Sequence, residues 1–292
     1  MRKRPLRTIL TLTSIVLISF ALASLTSFSE VKVFNVMESK TSYPLNGILI
    51  KTPNFYPLDK EAIKLLPLFL TNSSVYFPRF WVYFPASFQQ SGVPGTINVL
   101  FNNKSTGIYA AVGINTQEIL EYSYLYKSLF KTNGSLSINY SLASLQNSVF
   151  IPYTIAGYLN SSGDLRLGSC LSIDGIQYIL AGVYNETEAL RNLKDADGFS
   201  DLLPIDYSVS TQQQSFSFSQ MSWSSIVIVN SKSVEHVPEA CLTSFFISVI
   251  GSFNEKRLIN SVESLFTAYD SLNIYLVSNG TVYTFSKRNA QS

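Results

Sequence analysis

Three stretches of this chain run through the same succession of residues: an apolar segment, a glycine, one or two residues, an asparagine, then an amphipathic segment. They are Ala110 to Leu120 (AAVGINTQEIL), Ile179 to Leu193 (ILAGVYNETEALRNL) and Ser248 to Ile259 (SVIGSFNEKRLI). Their glycines, Gly113, Gly182 and Gly251, stand at equal intervals, 113 to 182 and 182 to 251, of 69 residues. A short apolar run closed by Gly and Asn reads as a buried strand passing into an N-capped helix. In Asn254 to Tyr269 the apolar residues Leu258, Ile259, Val262, Leu265, Phe266 and Tyr269 recur at spacings of three and four, which predicts a helix with one buried face. Asn115-x-x-Glu118 and Asn185-x-x-Glu188 read as capping boxes.

Further blocks follow each helix in the same order. Tyr83 to Ser91, Tyr140 to Ser148 and Tyr207 to Ser215 share Tyr, small and hydroxyl residues, Gln and a final Ser, and Thr96 to Asn102, Thr154 to Asn160 and Ser224 to Asn230 read as apolar strands ending on Asn. Ile48 to Ile50 and Leu58 to Leu66, broken by Pro67, make a degenerate first copy, and Asn273 to Val277 with Thr281 to Phe285 around Asn279-Gly280 make a truncated fourth. Asp174-Gly175 predicts another hairpin. The expected fold is therefore α+β: about four strand-helix-strand-strand units forming antiparallel sheets with helices on one face, after an N-terminal membrane segment. The expected division is a leader at 1–29, a link at 30–45, a first pair of units at 46–163 and a second pair at 164–292.

The leader is read from charge and apolarity. Arg2, Lys3, Arg4 and Arg7 precede Ile9 to Phe28, a run without charge that is long enough as a helix to cross a bilayer core of roughly 30 Å. The basic end then stays in the cytoplasm and the rest lies outside. Either the segment is retained as a single-pass anchor through residues 9–28, or Ala21-Leu22-Ala23 marks a signal-peptidase site and the protein is secreted. The four leader cations account for more than the whole net charge of +2, so the remainder is slightly acidic and has no basic cluster of the kind nucleic acid requires.

Charged residues are 14% of the chain against a usual quarter or so, while apolar residues reach 46%, so a core is assured and its surface is built largely from Ser, Thr, Asn, Gln and Tyr. Asn-x-Ser/Thr triplets at Asn72, Asn103, Asn133, Asn139, Asn160, Asn185 and Asn279 become glycosylation candidates outside a membrane. Cys170 and Cys241 hold equivalent places before successive units and are candidates for one disulfide, with two buried thiols the alternative. The low charge, the amide- and hydroxyl-rich composition, the sequons and the N-terminal segment together resemble envelope proteins of thermoacidophilic archaea. That resemblance implies an exported protein and assigns no residue a role.

Chemistry is harder to find. The single histidine, His236, lies in a polar loop, and no metal-ligand spacing, nucleophile elbow, phosphate loop or dinucleotide fingerprint occurs, so no catalytic residue, metal or cofactor is expected. The acid pairs Glu186 with Glu188 and Asp195 with Asp197 read as solvated helix surface. Val75 to Phe88 is unusually aromatic, with Arg79 as its one charge, and reads either as an inner strand or as a partner surface carrying Tyr76, Phe80, Trp81 and Tyr83. The functional expectation is a non-enzymatic ectodomain that binds an envelope protein or glycan partner. The alternatives are an extracellular hydrolase using scattered carboxylates and a small-ligand binding protein.

Overall fold

A computed structural model describes residues 34–41, 43–52, 57–61, 74–82, 96–133, 135–197, 202–206, 219–238, 240–249 and 272–287. The chain divides into two compact units, one made of the chain ends (Met1–Asn35 with Lys287–Ser292) and one of Val36–Ser286, and the features below belong to the second. The expected membrane segment at 9–28, the helix over Asn254 to Tyr269 and most of Leu58 to Leu66 lie outside the described residues. Among the described residues no helix is long and apolar enough to cross a membrane.

The strands, in chain order, are β1 (Phe34–Lys40), β2 (Gly47–Lys51), β3 (Ser74–Val82), β4 (Ile97–Phe101), β5 (Lys104–Ile108), β6 (Ala110–Ile114), β7 (Lys131–Thr132), β8 (Ser135–Leu136), β9 (Ser148–Pro152), β10 (Cys170–Ile173), β11 (Ile176–Tyr184), β12 (Ile205–Asp206), β13 (Ser219–Gln220), β14 (Ile226–Asn230), β15 (Ala240–Val249), β16 (Asn273–Ser278) and β17 (Thr281–Lys287). The described α-helices include α1 (Thr116–Leu125), α2 (Tyr140–Ala143), α3 (Tyr153–Leu159), α4 (Glu186–Asn192) and α5 (Ser231–Val234). Thirteen strands form one sheet in the order β1-β17-β16-β2-β15-β3-β6-β14-β9-β11-β10-β4-β5. The fold is mixed α+β, with a large sheet and few helices.

The strand-Gly-Asn-helix reading holds at both stretches whose strand and helix lie within the described residues. β6 passes through Asn115 into α1, and β11 passes through Asn185 into α4; the Asn115 Oδ1 accepts from the Gln117 N–H at 2.9 Å, and that of Asn185 from Thr187 and Glu188 at 3.0 and 3.2 Å. Both glycines stand where a Cβ has no room. A Cβ on Gly182 would come within 2.8 Å of the Phe150 ring, and one on Gly113 would run into Val234 and stand 3.2 Å from the Phe80 Cβ. The hairpins at Asp174-Gly175 and Asn279-Gly280 form as read, both residues of each pair having positive φ, the geometry that the two-residue turn needs.

Several expectations are corrected. The sheet is mixed and not antiparallel: β6 runs parallel to β14, and β9 to β11. β6, β9 and β14 are each buried at all five residues, as strands covered on both faces are, and so is β2, which pairs antiparallel with both its neighbours. Helices accordingly cover both faces and not one. Ile119 and Tyr122 of α1 and Ala189 of α4 pack with Leu49, Val112 and Ile228, whereas Ile155 and Leu159 of α3 and Val234 of α5 pack with Ile48, Val227 and Val229. Alternation along a strand sends those two sets to opposite faces. Thr154 to Asn160 is a helix and not a strand, since Ile155, Ala156 and Leu159 bury one helical face; so short an apolar run carries no decisive period. The link expected at 30–45 contains β1. In the one sheet β2, from 46–163, lies between β16 and β15, both from 164–292.

Candidate functional site

Among the described residues the best-organised charges are buried. β2 is apolar until Lys51, and β3 is apolar or aromatic around Arg79; alternation places Lys51 with Leu49, and Arg79 with Phe77 and Trp81, on the face covered by α1 and α4. Three carboxylates meet them: Glu118 from the first turn of α1, and Asp195 and Asp197 from the segment after α4. The Arg79 side chain is 2% exposed and that of Glu118 0%. Arg79 Nε and Nη2 donate to Glu118 Oε1 at 3.1 and 2.6 Å, and Nη2 also to the Tyr43 hydroxyl at 2.9 Å, which itself donates to Glu118 at 2.8 Å. Arg79 Nη1 contacts Asp195 Oδ1, which also accepts the Ala196 N–H at 2.6 Å. Lys51 Nζ contacts Asp197 Oδ2 directly and lies 3.7 Å from Asp195 Oδ2.

The electrostatics follow from this enclosure. Burial disfavours charge on Lys51, but Asp195 and Asp197 outweigh it and hold the amine above the ordinary lysine pKa. Arg79 is likewise opposed by burial and pushed well up by Asp195 and Glu118. Burial first, and the Glu118 charge second, raise the hydroxyls of Tyr43 and Tyr122 well above the usual tyrosine value. The cluster borders a cavity of about 20 Å³, lined in part by Trp81 and Thr243. That is room for about one water molecule.

On the other face, a cleft of about 270 Å³ opens between Lys60 and Glu61, Pro78 and Phe80 of β3, and the turn Glu235 to Pro238 after α5. Lys60 Nζ donates to the Val237 carbonyl at 3.0 Å and stands 5.8 Å from the Phe80 ring centre. Burial, with Glu235 second, raises the Tyr76 hydroxyl. His236 is exposed at this cleft, as its polar loop suggested.

The four aromatic candidates therefore part company. Phe80 and Tyr76 belong to the cleft side, Trp81 borders the buried charges, and Tyr83 lies outside the described residues. Of the glycosylation candidates, Asn103, Asn133, Asn139, Asn160 and Asn279 are exposed and Asn185 is half-buried, while Asn72 lies outside the described residues. The caps on α2 and α4 use the Oδ1 of Asn139 and Asn185.

Three readings of the residues are corrected here. Cys170 and Cys241 form no disulfide. They sit on β10 and β15 with five strands between them in the sheet, and at ~4.8 Å per strand step no bond can close over such a span. Asp195 and Asp197 are buried ion-pair partners and not solvated helix surface, because the chain turns inward after α4 to meet Arg79 and Lys51. Neither capping box is completed: Glu118 turns to Arg79, and Glu188 to Ser128, Arg191 and Asn192. The missed cluster did leave a signal, namely single cations embedded in GILIK and SVYFPRFWV. Among the described residues no group of three or more His, Cys, Asp or Glu is placed to hold a metal.

No family model and no curated protein matches the chain. Among solved structures, the periplasmic region of MacB from Actinobacillus actinomycetemcomitans overlaps with a TM-score of 0.44 at 12% identity, covering 80% of this chain and 90% of that one. The extracellular domain of the noncanonic ABC-type transporter YknZ from Gram-positive bacteria overlaps with a TM-score of 0.39 at 11% identity, covering 78% and 97%.

Proposed function

We infer that the protein is a non-enzymatic ectodomain of the cell envelope, anchored or secreted through residues 9–28, which docks a protein or glycan partner at the cleft beside Phe80. The observation that carries this reading is the separation of the two polar sites by the sheet. The tightly organised charges are paired with one another around a cavity of one water's size, while the accessible cleft is lined by aromatic, proline and mixed charged side chains. At about 270 Å³ the cleft is slightly under the usual volume of a small-molecule pocket and fits one side chain or sugar ring of a larger partner. The arrangement of strands at the centre of the sheet supports a scaffold role. In the central order β6-β14-β9-β11 the outer strands β6 and β11 lead into α1 and α4, and each runs parallel to its inner neighbour.

The test is site-specific photo-crosslinking on the producing cell. A crosslinker in place of His236 should give one discrete, stoichiometric adduct, and a crosslinker in place of the exposed Leu100 on β4 should give none. Equal labelling from both positions, or none from His236, sinks the docking site. Glycan or peptide hydrolysis that disappears with Glu235→Gln would replace the reading with the hydrolase alternative.

A further inference from the structure

The buried lysine has a neighbourhood that suits bond formation as well as ion pairing. Lys51 Nζ touches Asp197 Oδ2, a second carboxylate stands 3.7 Å away on Asp195, the Tyr275 ring lies 5.3 Å from the nitrogen, and the remaining opening holds about one water. We propose that Lys51 and Asp197 condense into an intramolecular isopeptide bond, with Asp195 as the proton carrier.

The atoms balance without a co-reactant. An ammonium proton passes through Asp195 Oδ2 to an Asp197 carboxyl oxygen, which frees the nitrogen lone pair and leaves Asp197 a neutral acid open to attack at Cγ. The N–C bond forms and one Cγ–O bond breaks. Of the three ammonium protons two leave with that oxygen as water, relayed through Asp195, and the third stays on the amide nitrogen. Asp195 ends as the carboxylate it began as. The roles of the two acids follow from their contacts. Asp195 is held at Oδ1 by Arg79 and the Ala196 N–H, which fixes its position and leaves Oδ2 towards the lysine. Asp197 is the one in direct contact with the nucleophile.

Burial supplies the driving force. Condensation between ions in water is unfavourable because both are well solvated, but here Lys51 and Asp197 have both left solvent, and forming a neutral amide removes two buried charges at once. The amine is held protonated by the two aspartates, so its proton must move within the triad, and the reaction as written leaves the triad's total charge unchanged. The bond would join β2 to the segment after α4 across 146 residues of sequence, fastening the helical layer to the middle of the sheet.

Peptide mass spectrometry of the full-length protein, purified folded and then denatured and digested with trypsin, tests this without any variant. The expected product is Thr41–Lys60, uncut at Lys51, joined to the peptide that begins at Asp195, with a combined mass lower by one water. Quantitative cleavage after Lys51 and two separate peptides would overturn the bond. Lys51→Arg and Asp197→Ala should abolish the product. Asp197→Asn should form the identical product by losing ammonia. Asp195→Asn should slow formation at least tenfold in protein that keeps its wild-type circular dichroism; an unchanged rate there would remove Asp195 from the mechanism.

Discussion

Replacing Arg79 with methionine tests whether the buried cluster holds the α1 and α4 layer to the sheet. Methionine keeps most of the aliphatic stem's packing, so the loss is electrostatic. The change removes the guanidinium donors from Glu118, Tyr43 and Asp195, and leaves Glu118, whose side chain is fully buried, with the Tyr43 hydroxyl alone of these partners. Removing one member of a buried pair costs about 3–5 kcal/mol, because the orphaned charge stays desolvated. For a unit of this length that corresponds to a melting temperature lower by roughly 8–16 °C, taking about 4 kcal/mol as the central value. Guanidinium unfolding at matched slope gives the free energy directly. Adding Glu118→Gln to Arg79→Met removes the stranded charge while keeping an acceptor for Tyr43, so the double variant should recover about 1–2 kcal/mol relative to Arg79→Met alone. A loss under about 1 kcal/mol, or a double variant equal to the sum of the singles, would mean that the cluster is too weakly coupled to act as a fastening.

Alkaline pH should loosen the same region. The raised pKa values of Tyr43 and Tyr122 mean that the folded state binds protons more tightly than the unfolded one. Their stabilisation is complete below the unfolded value of 10.0 and falls as pH rises towards the folded ones, so the melting temperature should decline from about pH 10 upwards, with tyrosinate absorbance appearing only on unfolding. Tyrosinate titrating normally in the folded protein would contradict the burial. Gly113→Ala should cost about 1–3 kcal/mol, since its Cβ would overlap Val234 on one side and press on Phe80 on the other; a neutral change in urea unfolding would show that α5 yields freely. In the native protein Cys170, exposed on β10, should react quickly with a thiol reagent, and Cys241, half-buried with its pKa raised first by burial, much more slowly. A thiol count of zero before reduction would restore the disulfide.

What the sequence determined by itself is local. Gly113 and Gly182, the asparagine caps and the Asp174-Gly175 and Asn279-Gly280 turns were legible because each acts within a few residues, through positive φ, a side-chain acceptor or the absence of a Cβ. Periodicity likewise located the apolar runs, and it failed at Thr154–Leu159, where the run is too short to separate a helix from a strand. The tertiary structure decided everything that depends on which strand lies beside which. Parallel pairing of β6 with β14 and β9 with β11 is not written in either member. The separation of Phe80 from Trp81, and of Cys170 from Cys241, follows from alternation and strand order together. The ion cluster gathers Lys51, Arg79, Glu118, Asp195 and Asp197 from four separate stretches, and only the packed sheet excludes water from them. Lysine in GILIK and arginine in SVYFPRFWV announced that a buried charge had to be answered, but a single chain of letters does not say which carboxylates answer it, since Coulombic partners are chosen by distance in space.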